Sequence, residues 1–268
     1  MDDKVSSSHL KNTYTTVMSY LQKTFFSDFK AFIKWLFIAL LCGIIIGIAG
    51  TAFHFAISWA ESVREQYFWL FLFLPVGGLF IAFLYCHSGM ESDAGTDMVL
   101  FSVRSETQIS WKTAPLIFVA TVITHLFGGS AGREGAALQL GGSLGQVIGR
   151  RLHLDIKDMH IITLCGMSAG FAALFGTPMA AAIFAMEVIS VGVMYYAALV
   201  PCVLSAIIAS QISFAFGSSP TSFSLPAEAI PTFSPLLLLQ VSGLAILCAL
   251  LSIVVCLVFH KVDRKSVV

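Results

Sequence analysis

The 268 residues include 15 basic and 15 acidic side chains, so the net charge is zero, and 57% are hydrophobic against 11% charged. A soluble domain carries about a quarter charged residues, so this composition, with a mean hydropathy of +0.87, excludes one and points to a polytopic membrane protein. Zero net charge also argues against a nucleic-acid partner.

The first thirty residues are polar, with Lys4, Lys11, Lys23 and Lys30 but no short isolated apolar core, so no cleavable signal peptide is expected, and residues 1–27 make up the N-terminal segment. They can form a short amphipathic helix with Tyr14, Met18, Leu21 and Phe25 on one face, and the lysines assign the segment to the cytoplasm. Ala31–Ala60 reads as the first membrane helix. At roughly 1.5 Å per residue its length of about 30 residues exceeds the hydrocarbon core, so it must tilt. Its Gly43, Gly47 and Gly50 form a stripe of small residues for a close neighbour. Glu61–Gln66 is a polar turn on the outer side, and Tyr67–Cys86 returns inward with an expected kink at Pro75 and Gly77-Gly78. Cys86–Trp111 is polar and too long for an ordinary turn, with Asp93-Ala94-Gly95-Thr96-Asp97-Met98 at its centre.

The apolar run Trp111–Phe127 leads into Gly128–Gly149, GGSAGREGAALQLGGSLGQVIG, which sets Arg133 beside Glu134 among glycines. Ionisable side chains at bilayer depth are costly and face a cavity or a partner, so both are functional candidates. The glycines permit close backbone approach to a ligand, and Ala136–Ile148 reads as a helix whose first turn begins near Glu134. A helix that starts inside the membrane presents unpartnered N–H groups and the positive end of its dipole, which is an anion site made of backbone.

Other readings compete for the same stretch. Arg133 and Glu134 can be a structural ion pair between helices, although such a pair needs no glycine-rich entry. The G-x-x-x-G pairs Gly128/Gly132, Gly141/Gly145 and Gly145/Gly149 can serve helix packing, a reading we accept for the last two. Gly128–Gly132 also matches the G-x-S-x-G nucleophile elbow, with Ser130 and His125 as a hydrolase pair. That motif follows a strand, whereas Leu116–Phe127 reads as a membrane helix, so the protein is not expected to be an enzyme.

Arg150-Arg151-Leu152-His153 and Lys157 make a basic link that belongs in the cytoplasm. Met159–Phe175 and Pro178–Gly192 form a helix pair, with Pro178 at a helix start where it is tolerated. Tyr195–Phe216 is an apolar span expected to break at Pro201, Gly217–Thr232 is a Ser/Pro loop, and Ser234–His260 is the last long helix before Lys261–Val268. Cys42, Cys86, Cys165, Cys202, Cys248 and Cys256 are dispersed in apolar runs without metal-ligand spacing, so they read as core filler, and no metal or cofactor is expected.

Gly132-Arg133-Glu134-Gly135, opening a Gly-rich helix after an apolar helix that ends in Gly128-Gly129-Ser130-Ala131, resembles the signature of the CLC family of chloride channels and proton-coupled chloride transporters. Phe175–Val188, FGTPMAAAIFAMEV, is similar to the family's proline-initiated helix with a late glutamate, in the same order and spacing. The resemblance implies an all-α membrane fold of tilted and re-entrant helices in two inverted halves. Residues 28–217 would be the first half, and 218–268 a loop and the first helix of a second. It implies transport of chloride, as a channel or an anion/proton antiporter, through the cell membrane, and a homodimer is expected.

Within that resemblance Glu134 is the gate, a carboxylate that occupies an anion site and swings away on protonation or displacement. Gly132, Arg133, Gly135 and Ala136 would lie around the anion. The family's G-S-G-I-P, whose serine hydroxyl and helix-start amides hold the central anion, falls on Gly95-Thr96-Asp97-Met98-Val99. Gly95 is kept and Thr96 retains a hydroxyl, but Asp97 and Val99 depart. Asp97 would repel an anion if it faced the pore, and is expected instead to cap a helix and point away. Glu187 matches a glutamate kept in channels and transporters alike, while Val188 stands where proton-coupled transporters carry a second glutamate. The fluoride branch of the family departs from G-S-G-I-P and exchanges protons without that glutamate, so fluoride remains open beside chloride. The family completes its pore with G-x-F-x-P and a tyrosine from the second half, which this sequence lacks. A truncated, non-conducting chain that only associates with other subunits is therefore a further reading.

Overall fold

In hydrocarbon each backbone N–H must find its acceptor within its own segment, which favours helix over every open alternative. The computed structural model describes residues 2–91, 93, 95–105, 107–189, 194–218 and 234–266, and among them it has helices and no strand. The chain divides into two compact units, Met1–Thr221 and Ser222–Val268. The first holds α1 (Asp2–Gln66), a 3₁₀ segment (Phe68–Phe73), α2 (Leu74–His87), α3 (Thr96–Arg104), α4 (Thr113–Leu126), α5 (Glu134–Arg151), α6 (Ile156–Phe175), α7 (Pro178–Glu187) and α8 (Leu199–Ala215). The second holds α9 (Pro235–Ser266). Among the described residues, five helical segments are long and apolar enough to cross a membrane: Phe29–Gln66, Phe68–His87, Ile156–Phe175, Tyr196–Ala215 and Pro235–Val262.

Several boundaries differ from the expectations. No separate surface helix ends at residue 27, because α1 runs unbroken from Asp2 and no glycine or proline interrupts it before Gly43. At Pro75 and Pro201 a 3₁₀ segment gives way to an α-helix, at Leu74 and at Leu199. Each proline falls in the first turn of its helix, as do Pro115, Pro178 and Pro235, where the missing N–H would have had no partner. The polar stretch Cys86–Trp111 contains a helix, α3. Residues 190–192 of the expected helix to Gly192, 219–232 of the Ser/Pro loop, Ala94 and the last two residues lie outside the described residues.

The centre of the first unit is α6, buried without a break from Ile161 to Gly170. A helix apolar on every side belongs in the interior, and α1, α5, α7 and α8 pack around this one. Close approach is what the glycines supply. A methyl on Gly141 would run into the Gly166 carbonyl, and one on Gly145 would lie 2.6 Å from the Ile162 oxygen, so α5 and α6 meet backbone to backbone. The stripe on α1 acts likewise, with Gly43 and Gly47 against α8 and Gly50 against Ala173 of α6. Hydroxyls add polar ties: Ser205 and Ser213 of α8 donate to the Cys165 and Ala173 carbonyls at 3.1 and 2.7 Å, and Ser168 of α6 donates to the Cys202 carbonyl at 3.0 Å. The core-filler reading holds for Cys42, Cys165 and Cys202, which are buried, and fails for Cys86, Cys248 and Cys256, which are exposed. An exposed thiol sits in as apolar a sequence as a buried one, so the pattern cannot separate them.

Candidate functional site

The site is built where two helices begin. The chain leaves α4 through tight caps, Gly129 N–H to the Thr124 carbonyl at 2.8 Å and Gly128 N–H to His125 at 3.1 Å, and re-enters helix at Arg133. Arg133 is the N-cap of α5 and makes no side-chain cap bond. The first turn closes with Ala137 N–H to the Arg133 carbonyl at 2.9 Å, so the amides of Glu134, Gly135 and Ala136 precede any intrahelical acceptor. The loop from Gly128 to Arg133 thus ends at backbone donors without an intrahelical acceptor and at the positive end of a dipole.

The second helix start is that of α3. Gly95, its N-cap, has φ +64 and ψ −132, a conformation that side chains resist, and its N–H is held by Asp93 Oδ1 at 2.9 Å. Here the expectation for Asp97 is corrected. Asp97 is not the cap; it lies in the first turn, exposed, where its charge complements the dipole, and Gly95 takes the cap position because only glycine fits that backbone turn.

These two starts meet. A Cβ on Gly135 would lie 2.7 Å from Thr96 Oγ1, and one on Gly142 would lie 2.6 Å from Val99, so α3 crosses the first turns of α5 at van der Waals distance. Gln139 Nε2 donates to Thr96 Oγ1 at 3.0 Å. The Glu134 carboxylate folds back over the loop, its Oε2 2.5 Å from where a Cβ on Gly132 would stand. Gly95, Thr96, Gly132, Arg133, Glu134, Gly135 and Ala136 are therefore one neighbourhood, drawn from segments far apart in sequence.

Arg133 and Glu134 do not form a structural ion pair with each other: the ion pair among the described residues joins Lys34 of α1 to Asp158 of α6. Arg133 lies instead within electrostatic reach of His54 of α1, as does Glu61. The hydrolase geometry is not present either, since helix α4 precedes Ser130 and the His125 ring bonds the Thr121 carbonyl at 2.8 Å. Glu187 and Val188 stand at the far end of α7, which packs on α6 and α8, and no hydrogen bond links Glu187 to Thr96 or Glu134 among the described residues.

Two glutamines escaped the sequence reading. Gln139 reaches Thr96, and Gln146 with Arg150 fastens the α3–α4 link through Ile109, whose N–H donates to Gln146 Oε1 at 2.8 Å while Arg150 donates to its carbonyl at 2.9 Å. The available signal was a polar residue recurring every seventh position in a helix otherwise made of small and apolar ones.

Fold and site together define a multi-pass membrane protein in which two helix starts meet at Thr96 and Gly135, next to Glu134 in the chain. Residues 77–267 match the family model described as voltage gated chloride channel, and the chain belongs to this family, the CLC proteins. It is 37% identical over 199 residues to the chloride/fluoride channel protein of Pseudomonas syringae pv. tomato, a match covering 74% of this chain and 44% of that one. It is 28% identical over 199 residues to the H(+)/Cl(-) exchange transporter ClcA of Cronobacter sakazakii, covering 67% and 42%. The crystal structure of a CLC-type fluoride/proton antiporter superposes with TM-score 0.73 at 36% identity, over 80% of this chain and 54% of that one. A slow cyanobacterial Cl-/H+ antiporter, at 23% identity and TM-score 0.52, shares the fold. The chain spans about half the length of the curated relatives it matches.

Proposed function

We propose that the protein carries small anions, chloride foremost, across the cell membrane as a homodimer, and that Glu134 gates the path. The observation that carries the reading is the meeting of the α3 and α5 starts at Thr96 and Gly135, with the Glu134 carboxylate folded against the same loop. Open amides and a hydroxyl there suit an anion, and a carboxylate that competes for the same donors must leave before an anion can pass. The residues assigned to the anion are Gly95, Thr96, Gly132, Arg133, Gly135 and Ala136, with residues 28–217 as the first inverted half. The test is anion efflux from liposomes holding the full-length protein. Glu134→Gln mimics a protonated gate and is expected to abolish the pH dependence of flux; unchanged pH dependence would remove Glu134 from that role.

A fluoride-selective anion/proton antiporter is the second reading. What favours it is the similarity to a chloride/fluoride channel protein and to a fluoride/proton antiporter, together with Thr96-Asp97 in place of Ser-Gly and Val188 in place of a second glutamate. Fluoride efflux with chloride excluded by more than about tenfold, a difference of roughly 1.4 kcal/mol, would establish it over chloride.

A further inference from the structure

Gln139 is a buried amide, 6% exposed, between Leu138 and Leu140, which enter different apolar clusters. A polar group in such a place is retained for the hydrogen bond it makes, since leaving it unmade is costly. Its Nε2 donates to Thr96 Oγ1 at 3.0 Å. The same Oγ1 lies 2.7 Å from the position a Gly135 Cβ would take. The Thr96 hydroxyl is thus held by the Gln139 amide and lies close to the backbone of Gly135, the residue after Glu134.

Counting donors gives this grip its meaning. A hydroxyl has one hydrogen and two lone pairs, and the bond from Nε2 uses a lone pair. The hydrogen stays free to donate, and a hydroxyl that accepts one bond donates a second more strongly. We infer that Gln139 is a positioning residue for anion selectivity: it fixes Thr96 as a hydrogen-bond donor to the anion, and does so most to the benefit of fluoride. This rests on the reading of Thr96 as part of an anion site. Fluoride, smaller and more strongly hydrated than chloride, needs fixed donors at short range to replace its water, whereas chloride tolerates a looser shell. Without Gln139 the Thr96 side chain is free to turn and give its hydrogen to another acceptor.

The experiment measures fluoride and chloride efflux with ion-selective electrodes from liposomes holding the full-length protein. It compares wild type with Gln139→Met, Thr96→Val, Thr96→Ser and the Gln139→Met/Thr96→Val double variant. Gln139→Met is expected to lower the fluoride-to-chloride rate ratio by about 3- to 10-fold, the range of one neutral hydrogen bond. Thr96→Val should do the same, the double variant should be no worse than either, and Thr96→Ser should keep the wild-type ratio. A merely structural glutamine would lower both rates together and leave the ratio unmoved. If Gln139→Met does not elute as a monodisperse species, Gln139→Asn, one methylene short of Thr96, carries the same expectation. An unchanged ratio in Gln139→Met, or losses that add in the double variant, would overturn the inference while leaving anion transport intact. A wild type that moves neither ion would overturn the functional reading and this inference with it.

Discussion

At Gly132 the Glu134 carboxylate occupies the space that any side chain on that glycine would need. The clash of a methyl there is with the far end of a flexible side chain, 2.5 Å away at Oε2 and 3.7 Å at the carboxyl carbon, so the backbone need not move. Gly132→Ala should therefore cost less than about 1 kcal/mol in thermal unfolding, while displacing the carboxylate and weakening the pH dependence of flux. Strong destabilisation with intact gating would contradict this. At Gly135 the neighbour is instead the Thr96 hydroxyl, so Gly135→Ala should push Thr96 off its position and reduce anion affinity, read by calorimetric titration of the purified protein. The contrast shows what sequence can convey at this scale. Glu134 stands out as a candidate in the sequence because an ionisable side chain set among glycines in an apolar chain is costly. Gln139 is not, because an amide in a helix gains its meaning only when α3 folds across α5.

At the scale of elements, glycine spacing forecasts contact and proline position forecasts helix starts. Gly141→Ala and Gly145→Ala each drive a methyl into backbone of α6, which has no rotamer to give way, so each should destabilise by about 1–3 kcal/mol as overpacking does. Gly78→Ala, on a face of α2 with nothing within 4 Å, is the control and should be neutral or slightly stabilising. Thermal unfolding in detergent separates the two outcomes; equal effects would mean that the G-x-x-x-G spacing is incidental. The shifted boundaries have one cause. A proline in an apolar run looks like an interruption, yet its fixed φ and missing N–H suit the first turn of a helix, and the choice depends on where the preceding segment ends. Likewise α1 continues through residues 27–30, where a charge pattern indicates a change of surroundings but nothing stops the helix.

For the whole molecule, the Lys34–Asp158 pair sets the early part of α1 level with the beginning of α6. Arg150 and Arg151 end α5 a few residues before, so Lys34, Arg150, Arg151 and Lys157 share one membrane face. From the excess of basic residues we propose that this face is cytoplasmic and that Glu61–Gln66 lies on the other side. In a cysteine-free background, a cysteine at Ser62 should react with an impermeant maleimide in intact cells, and one at His153 only after permeabilisation. The reverse pattern would invert the topology. That Phe29–Gln66, Phe68–His87, Ile156–Phe175, Tyr196–Ala215 and Pro235–Val262 are long and apolar enough to cross a membrane was readable from the sequence; which helix is enclosed by the others was not, because α6 and the exposed helices have similarly apolar sequences.

The glycine stripe of α1 also fixes an order of events during synthesis. Gly43 and Gly47 fit against Ser205, Ile208 and Ala209, residues made long after α1 has left the ribosome. At about 5–20 residues per second the partner helix follows by roughly 10–30 s. For that interval α1 lies in the bilayer with its tightest contact surface unclaimed, and α6 enters before the helix that will close over it has been translated. The nascent protein is thus most vulnerable to capture by a wrong neighbour between the birth of its first helix and that of its eighth.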